Sequence, residues 1–123
     1  MKKSEKVGLN LKALLLDHDL EMLNTLTQKL IGLGMEIESS DSLHRARMLF
    51  KQDPMKIQVL ITEINFQDGD AFTLIKWMRK KNPNLIALIV TGEADLPSAI
   101  TAIKLGFADY LEKPVSMKEM QNA

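Results

Sequence analysis

Val59-Leu60-Ile61-Thr62-Glu63-Ile64 is an apolar run with a single carboxylate near its end. A run of this length with β-branched residues is typical of a strand that is covered on both faces of a parallel sheet. The polar, glycine-containing sequence over residues 65–70 predicts a loop after it. Because ligands of open α/β sheets bind beyond the carboxyl ends of the strands, Glu63 is placed where chemistry is expected.

Similar strands alternate with helices on both sides of this run. The sequence predicts strands over residues 13–16, 35–39, 59–64, 85–90 and 110–111, the second of them as an edge strand. Apolar residues at helical spacing predict four helices, with inward stripes Leu23, Leu26, Leu30 and Leu33; Leu43, Ala46, Leu49 and Phe50; Phe72, Leu74, Ile75 and Met78; and Ala99, Ile100 and Ile103. A capping-box sequence at residues 116–119 predicts a fifth helix. This alternation implies right-handed crossovers and a doubly wound α/β fold, with helices on both faces of a five-stranded parallel sheet.

The composition indicates one soluble domain. At 123 residues with 46% hydrophobic content, the chain is large enough to bury a core. Equal numbers of basic and acidic residues, 16 of each, argue against direct binding to nucleic acid or to a membrane. The absence of cysteine excludes disulfides, thiol catalysis and thiolate metal sites. Residues 1–10 are predicted to be a flexible lead-in, and the expected location is the cytoplasm because no signal peptide or membrane span is found.

Four polar side chains are predicted at the same edge of the sheet. Asp17, Glu63, Thr91 and Lys113 each come at or just after the end of a predicted strand. The carboxyl ends of parallel strands share one edge, so three oxygen-bearing groups and one ammonium group should converge there.

The chain resembles the receiver domain of two-component response regulators, the CheY-like domains. The resemblance extends from about residue 11 to the end, and it rests on LLLD at residues 14–17, VTG at 90–92, and Gly106 followed by DYLEKP at 109–114. It implies a three-layer, flavodoxin-like fold with strand order 2-1-3-4-5. It also implies a receiver domain over residues 11–123, with a fifth helix that is cut short.

Four residues match functional positions of that family. In receiver domains an acidic pair after the first strand holds Mg²⁺, and an aspartate that ends the third strand accepts a phosphoryl group from a histidine kinase. A hydroxyl and a lysine then bind the phosphoryl oxygens. The resemblance therefore implies that Asp17 is the first acid, Thr91 the switch hydroxyl, Tyr110 the switch aromatic residue and Lys113 the lysine.

Other positions depart from the family pattern. Glu63 replaces the phosphoryl-accepting aspartate and His18 replaces the second acid, while Gln67, Ala71 and Phe107 replace the usual proline, glycine and small residue. Glutamate extends its carboxylate about 1 Å further, into the volume of a phosphoryl group, and misplacement of about 1 Å can slow a reaction around a hundredfold. Imidazole removes one of the oxygen ligands that Mg²⁺ prefers. The Mg²⁺ site is therefore expected to be weak or lost, and no cofactor is expected.

The replacements leave several interpretations of Glu63 open. It is either a carboxylate that pairs with Lys113 and caps the strand, or a group that reaches Thr91 and Lys113 as a phosphoryl oxygen would and so fixes the switch. A third interpretation combines it with Asp17 and His18 in a one-histidine, two-carboxylate site for Mn²⁺, Fe²⁺ or Zn²⁺.

The resemblance and its departures predict a non-catalytic signalling module. The first hypothesis is an atypical receiver domain that regulates a protein partner without phosphorylation. The second is a working Mg²⁺-dependent phosphoacceptor for a histidine kinase. In the family the output face comprises the fourth helix, the fifth strand and the fifth helix, here Asp95–Lys104, Tyr110 and Ser116 onward. The resemblance also implies a C-terminal effector domain.

Two further predictions concern the third helix and the loop before it. Trp77 lies beside the inward stripe of its helix, so it should be partly exposed, either as a contact surface or with its ring flat on the helix. Asp68 and Asp70 are expected to form turns, and the alternative is that one of them replaces the phosphoacceptor.

Overall fold

The computed structural model describes residues 11–114, and a five-stranded parallel sheet forms its centre. The strands are β1 (Lys12–Leu16), β2 (Glu36–Ser40), β3 (Val59–Thr62), β4 (Ile86–Thr91) and β5 (Asp109–Glu112). They lie in the order β2-β1-β3-β4-β5, and every neighbouring pair is parallel. The predicted doubly wound fold and its strand order are confirmed.

Within residues 11–114, four α-helices pack on the sheet: α1 (Leu20–Gly32), α2 (Leu43–Gln52), α3 (Ala71–Lys81) and α4 (Leu96–Lys104). A 3₁₀ turn, Pro54–Lys56, follows α2. Each α-helix begins after a residue whose side chain accepts a hydrogen bond from a backbone N–H of the first turn; these caps are Asp19, Ser42, Asp70 and Asp95. Such a cap stabilises a helix by about 1 kcal/mol because it satisfies an otherwise unpaired amide.

Two apolar cores lie on opposite faces of the sheet. Successive residues of a strand point to opposite faces, and β1 accordingly places Leu14 and Leu16 in one core and Ala13 and Leu15 in the other. The first core contains the buried side chains of α2 and α3, and the second contains those of α1. The three layers therefore follow from strands that are apolar on both sides.

The chain after β3 differs from the sequence-based expectation. The strand ends at Thr62, so Glu63 and Ile64 follow it, and residues 65–70 form a two-stranded antiparallel hairpin rather than an irregular loop. Gly69 has φ +142°, and a Cβ atom there would lie 3.1 Å from Leu43 Cδ1. Glycine is needed at this turn because both the backbone conformation and the close approach to α2 disfavour a side chain.

The predicted inward face of the fourth helix is wrong. Ile100 and Ile103 are 41% and 76% exposed, and the buried residue of α4 is Ala102. This short helix has apolar residues on both sides, so periodicity alone could not choose the face that packs on the sheet. An apolar surface is left on the outer side of α4, where Leu96 is also exposed.

Residues 1–10 and 115–123 lie outside the described residues, and with them the predicted lead-in, the fifth helix and Ser116. In the part that is described, no helix is long and apolar enough to cross a bilayer.

The orientation of α4 can be tested with two substitutions. Ile103→Ser should change the free energy of unfolding by less than about 0.5 kcal/mol because the side chain is exposed. Ala102→Leu should lower it by about 1–3 kcal/mol because it overpacks a filled site. Urea unfolding followed by circular dichroism measures both, and a larger loss for Ile103→Ser than for Ala102→Leu would contradict this orientation.

Candidate functional site

Polar residues gather at the carboxyl edge of the sheet, as predicted. Asp17 follows β1, Glu63 follows β3, Thr91 ends β4 and Lys113 follows β5. The first three are almost fully buried, with 2%, 2% and 0% of their surface exposed. Buried polar groups require hydrogen-bond or charge partners, so the contacts among these side chains define the site.

Lys113 lies between the two buried carboxylates. Its ammonium Nζ is 2.7 Å from Asp17 Oδ2 and 3.1 Å from Glu63 Oε1. The backbone N–H of Lys113 donates to the Thr91 carbonyl at 2.9 Å, and this hydrogen bond holds the Lys113 backbone beside the end of β4. Burial lowers the pKa of Lys113, but hydrogen bonds and charge attraction from the two carboxylates outweigh this effect and raise it above 10.5. The lysine is therefore held as a cation.

The Glu63 carboxylate is surrounded by donors from three segments of the chain. Oε2 accepts from the Ile64 N–H at 2.7 Å, and Oε1 accepts from the Gly92 N–H at 3.3 Å as well as from Lys113. Burial raises the pKa of Glu63, but hydrogen bonding from the Thr91 hydroxyl, the Ile64 amide and Lys113 lowers it below 4.5 overall. The side chain is thus a buried anion that converging donors stabilise.

Asp17, His18 and Glu63 come together as the sequence suggested. One ligand atom of each lies within 4.8 Å of the others. The Asp17 carboxylate already accepts from the Asp19 N–H at 2.9 Å and from Lys113, while His18 is exposed and packs edge-on against the Phe66 ring. An imidazole replaces one hard oxygen ligand and an ammonium group bridges the two carboxylates, so these residues fit Mg²⁺ poorly.

Tyr110 connects β5 to the beginning of α4. Its hydroxyl accepts from the Asp95 N–H at 3.2 Å and lies 2.5 Å from the Ser98 hydroxyl. The ring is half-buried and packs on the small cluster of Ile64, Ile89 and Ala102. Tyr110 is therefore fixed at the first turn of α4, and its hydroxyl bonds to α4 rather than to the carboxylates.

Asp68 has a role that the sequence did not show. Its carboxylate accepts from the Leu43 and His44 N–H groups at 3.2 and 2.9 Å, so it caps α2 from the distant hairpin. The His44 hydrogen bond is the main cause of the lowered pKa of Asp68. Asp70 caps α3 through the Thr73 N–H. Asp68 and Leu43 are 25 positions apart in the chain, so no local sequence pattern indicates that they are in contact.

The match to a known family agrees with this geometry. Residues 13–123 match the family model of the response regulator receiver domain. The chain belongs to this family. Receiver domains are signalling modules of two-component systems, and the resemblance inferred from the sequence is confirmed.

Similar proteins are regulators that are longer than this receiver domain chain. It is 25% identical over 118 residues to the photosynthetic apparatus regulatory protein RegA of Cereibacter sphaeroides, covering 96% of this chain and 63% of RegA. It is also 25% identical over 117 residues to the acid tolerance regulatory protein ActR of Rhizobium meliloti, covering 95% and 59%. The chain thus spans less than two thirds of each regulator.

The solved structure of a response regulator receiver domain protein from Clostridium thermocellum has the same fold. The TM-score is 0.84 at 27% sequence identity, with coverage of 91% of this chain and 89% of that one.

The buried state of Glu63 predicts a specific dependence of receiver stability on pH. Since the pKa of Glu63 is lowered in the folded protein, its contribution is complete above about pH 4.5 and is lost as the pH falls through the folded pKa. Glu63→Gln should therefore flatten the acid-side fall in the free energy of unfolding. Urea unfolding over a series of pH values measures this slope, with Glu93→Gln as an exposed control. An unchanged slope in Glu63→Gln would contradict the lowered pKa.

Proposed function

We propose that this receiver domain is a phosphorylation-independent interaction module, in which the Glu63 carboxylate takes the place of a phosphoryl group. The observation that supports this most strongly is the convergence of Lys113, the Ile64 N–H and the Gly92 N–H on that one carboxylate. A phosphoryl oxygen is an anion that needs the same kinds of donor. With Glu63 present, these donors are already used.

The burial of Glu63 also argues against efficient phosphorylation. A nucleophilic carboxylate must approach a phosphodonor in line and within a narrow range of positions. Glu63 is only 2% exposed, and both of its oxygens accept hydrogen bonds. Attack would require these bonds to break and the buried carboxylate to move outward. We therefore expect no catalysis of phosphoryl transfer by this domain.

We also expect that the proposed regulation does not require Mg²⁺. Binding of Mg²⁺ to Asp17 and Glu63 would place a second cation beside Lys113, and His18 supplies nitrogen where Mg²⁺ prefers oxygen. We propose that Lys113 itself neutralises the carboxylates and that regulation does not depend on a cofactor.

The output surface is proposed to be α4 with Tyr110 of β5. Leu96, Ile100 and Ile103 are exposed on α4, and Tyr110 fixes the first turn of this helix through Asp95 and Ser98. An apolar surface of this kind suits a protein partner. Ser116 was also predicted on this face and lies outside the described residues.

The wider context is proposed to be a cytoplasmic signalling protein. RegA and ActR extend well beyond the part that this chain matches, so we propose a C-terminal effector domain as the receiver's immediate partner.

A second function is favoured by the residues that match the family pattern. Asp17, Thr91 and Lys113 are retained, and the chain belongs to the response regulator receiver domain family. The alternative is a Mg²⁺-dependent phosphoacceptor that a histidine kinase phosphorylates at Glu63.

Incubation with acetyl phosphate and Mg²⁺ separates the two functions. Intact-mass spectrometry should find no phosphoryl adduct on the wild-type chain because Glu63 is buried and bonded. The double variant Glu63→Asp/His18→Asp restores both acids of the family pattern and should acquire an adduct, which makes it the positive control. A stoichiometric adduct mapped to Glu63 in the wild type would refute the proposal.

Amide hydrogen exchange tests whether Glu63 fixes the switch region. Glu63→Gln keeps the shape but removes the charge that attracts Lys113, so exchange at the Ile64 and Gly92 amides and in the first turn of α4 should accelerate at least about tenfold. Glu21→Gln on α1 serves as the control and should leave these rates unchanged. If Glu63→Gln accelerates none of these amides, the carboxylate does not hold the switch.

A further inference from the structure

Basic residues are concentrated on two neighbouring helices of a chain that has no net charge. α2 carries three Lys or Arg residues and α3 carries four, and neither helix contains Asp or Glu. Arg79 turns inward, donating to the Leu105 and Gly106 carbonyls. The remaining side chains are defined here as the basic face: Arg45, Arg47, Lys51, Lys76, Lys80 and Lys81.

Within the described chain no cation of the basic face forms a salt bridge, and the charge of Arg47 alone among them contributes to the lowered pKa of an acidic residue, Asp68. Five of the six are exposed, and Arg47 is half-buried. Over residues 11–114 the lysines with a carboxylate within 4.0 Å are Lys12 and Lys113, which lie outside the basic face. Most of the charge of this face is therefore available to a molecule in solution.

Helix stability does not explain all of these cations. Lys51, Lys80 and Lys81 lie in the last turns of their helices, where a positive charge is favourable. Arg45 lies in the first turn of α2, where a positive charge opposes the helix dipole, and its backbone N–H is bonded to the Ser42 cap. Lys76 lies in the middle of α3, where the dipole offers little. The helix dipole therefore does not account for Arg45 and Lys76.

Apolar side chains lie among these cations. Trp77 is half-buried, as predicted, with its ring 5.8 Å from that of Phe50 and with Arg47 and Lys81 at 5.8 and 5.0 Å from its centroid. Met48 of α2 is 55% exposed. Protein–protein interfaces are enriched in Trp, Met and Arg, whereas nucleic-acid interfaces are more uniformly polar and basic.

We propose that the basic face docks an acidic, amphipathic segment of a partner protein, whose carboxylates pair with the cations and whose apolar side chains contact Met48 and Trp77. Charge complementarity selects an acidic partner. A protein fits better than a nucleic acid because the exposed Met48 and half-buried Trp77 give the face an apolar content that protein interfaces share. This surface is distinct from Glu63 and α4, so the proposal stands independently of how the receiver switch works.

The sole tryptophan of the chain gives a direct test. A synthetic amphipathic peptide rich in Glu and Leu should change the Trp77 fluorescence on titration, and anisotropy of a labelled peptide gives its affinity. Affinity should fall as the salt concentration rises, because exposed charges are screened. A DNA duplex of random sequence, labelled in the same way, is titrated in parallel.

Matched charge reversals identify the surface that binds. Lys76→Glu should weaken peptide binding at least about fivefold, whereas its matched control Lys29→Glu on α1 makes the same change in net charge and should alter binding less than about twofold. Thermal unfolding checks that each variant is folded. If the charge reversal prevents folding, Arg45→Gln/Lys76→Gln, which removes two charges without reversing them, takes its place in the binding assay.

Three results would overturn the proposal. The first is that the peptide fails to bind the wild-type chain. The second is that the basic-face variant and its control lose equal amounts of peptide affinity. The third is that DNA binds to the basic face more tightly than the acidic peptide does. The last would assign the face to a nucleic acid.

Discussion

The ammonium group of Lys113, placed between two buried carboxylates, is the interaction on which the carboxyl edge of this receiver domain depends. Asp17 and Glu63 follow different strands, and without a shared cation their buried charges would repel each other. Removing one member of such a buried arrangement commonly costs about 3–5 kcal/mol, because an uncompensated charge remains. The contacts of Lys113 therefore join the ends of β1, β3 and β5 into one unit.

The same unit connects to the rest of the receiver through backbone groups. Glu63 accepts from the Gly92 N–H in the segment that leads from β4 to α4, and the Thr91 hydroxyl accepts from the Glu93 N–H at 3.0 Å. Further along, the Tyr110 hydroxyl bonds to the start of α4. A change in charge at Glu63 is therefore expected to reach the exposed side of α4 through a short series of contacts, which is what a signalling module requires.

Much of this arrangement was predictable from the sequence, because it depends on local pattern. The apolar run of β3, with Glu63 just beyond it, indicated both a buried parallel strand and the edge at which polar groups converge. The inward side of α4 and the bond from Asp68 to α2 were not predictable. The first depends on which of two apolar sides of a short helix meets the sheet, and the second joins residues that are distant in the chain.

The central claim is that Glu63 is an anion held by Lys113 and by neighbouring amides. A titration of the Glu63 side-chain carboxyl carbon by NMR tests it most directly. The account predicts a pKa below 4.5 in the wild-type chain and a rise in that pKa in the variant Lys113→Met, because the variant removes the attracting cation. A wild-type pKa at or above 4.5 that does not respond to Lys113→Met would contradict it.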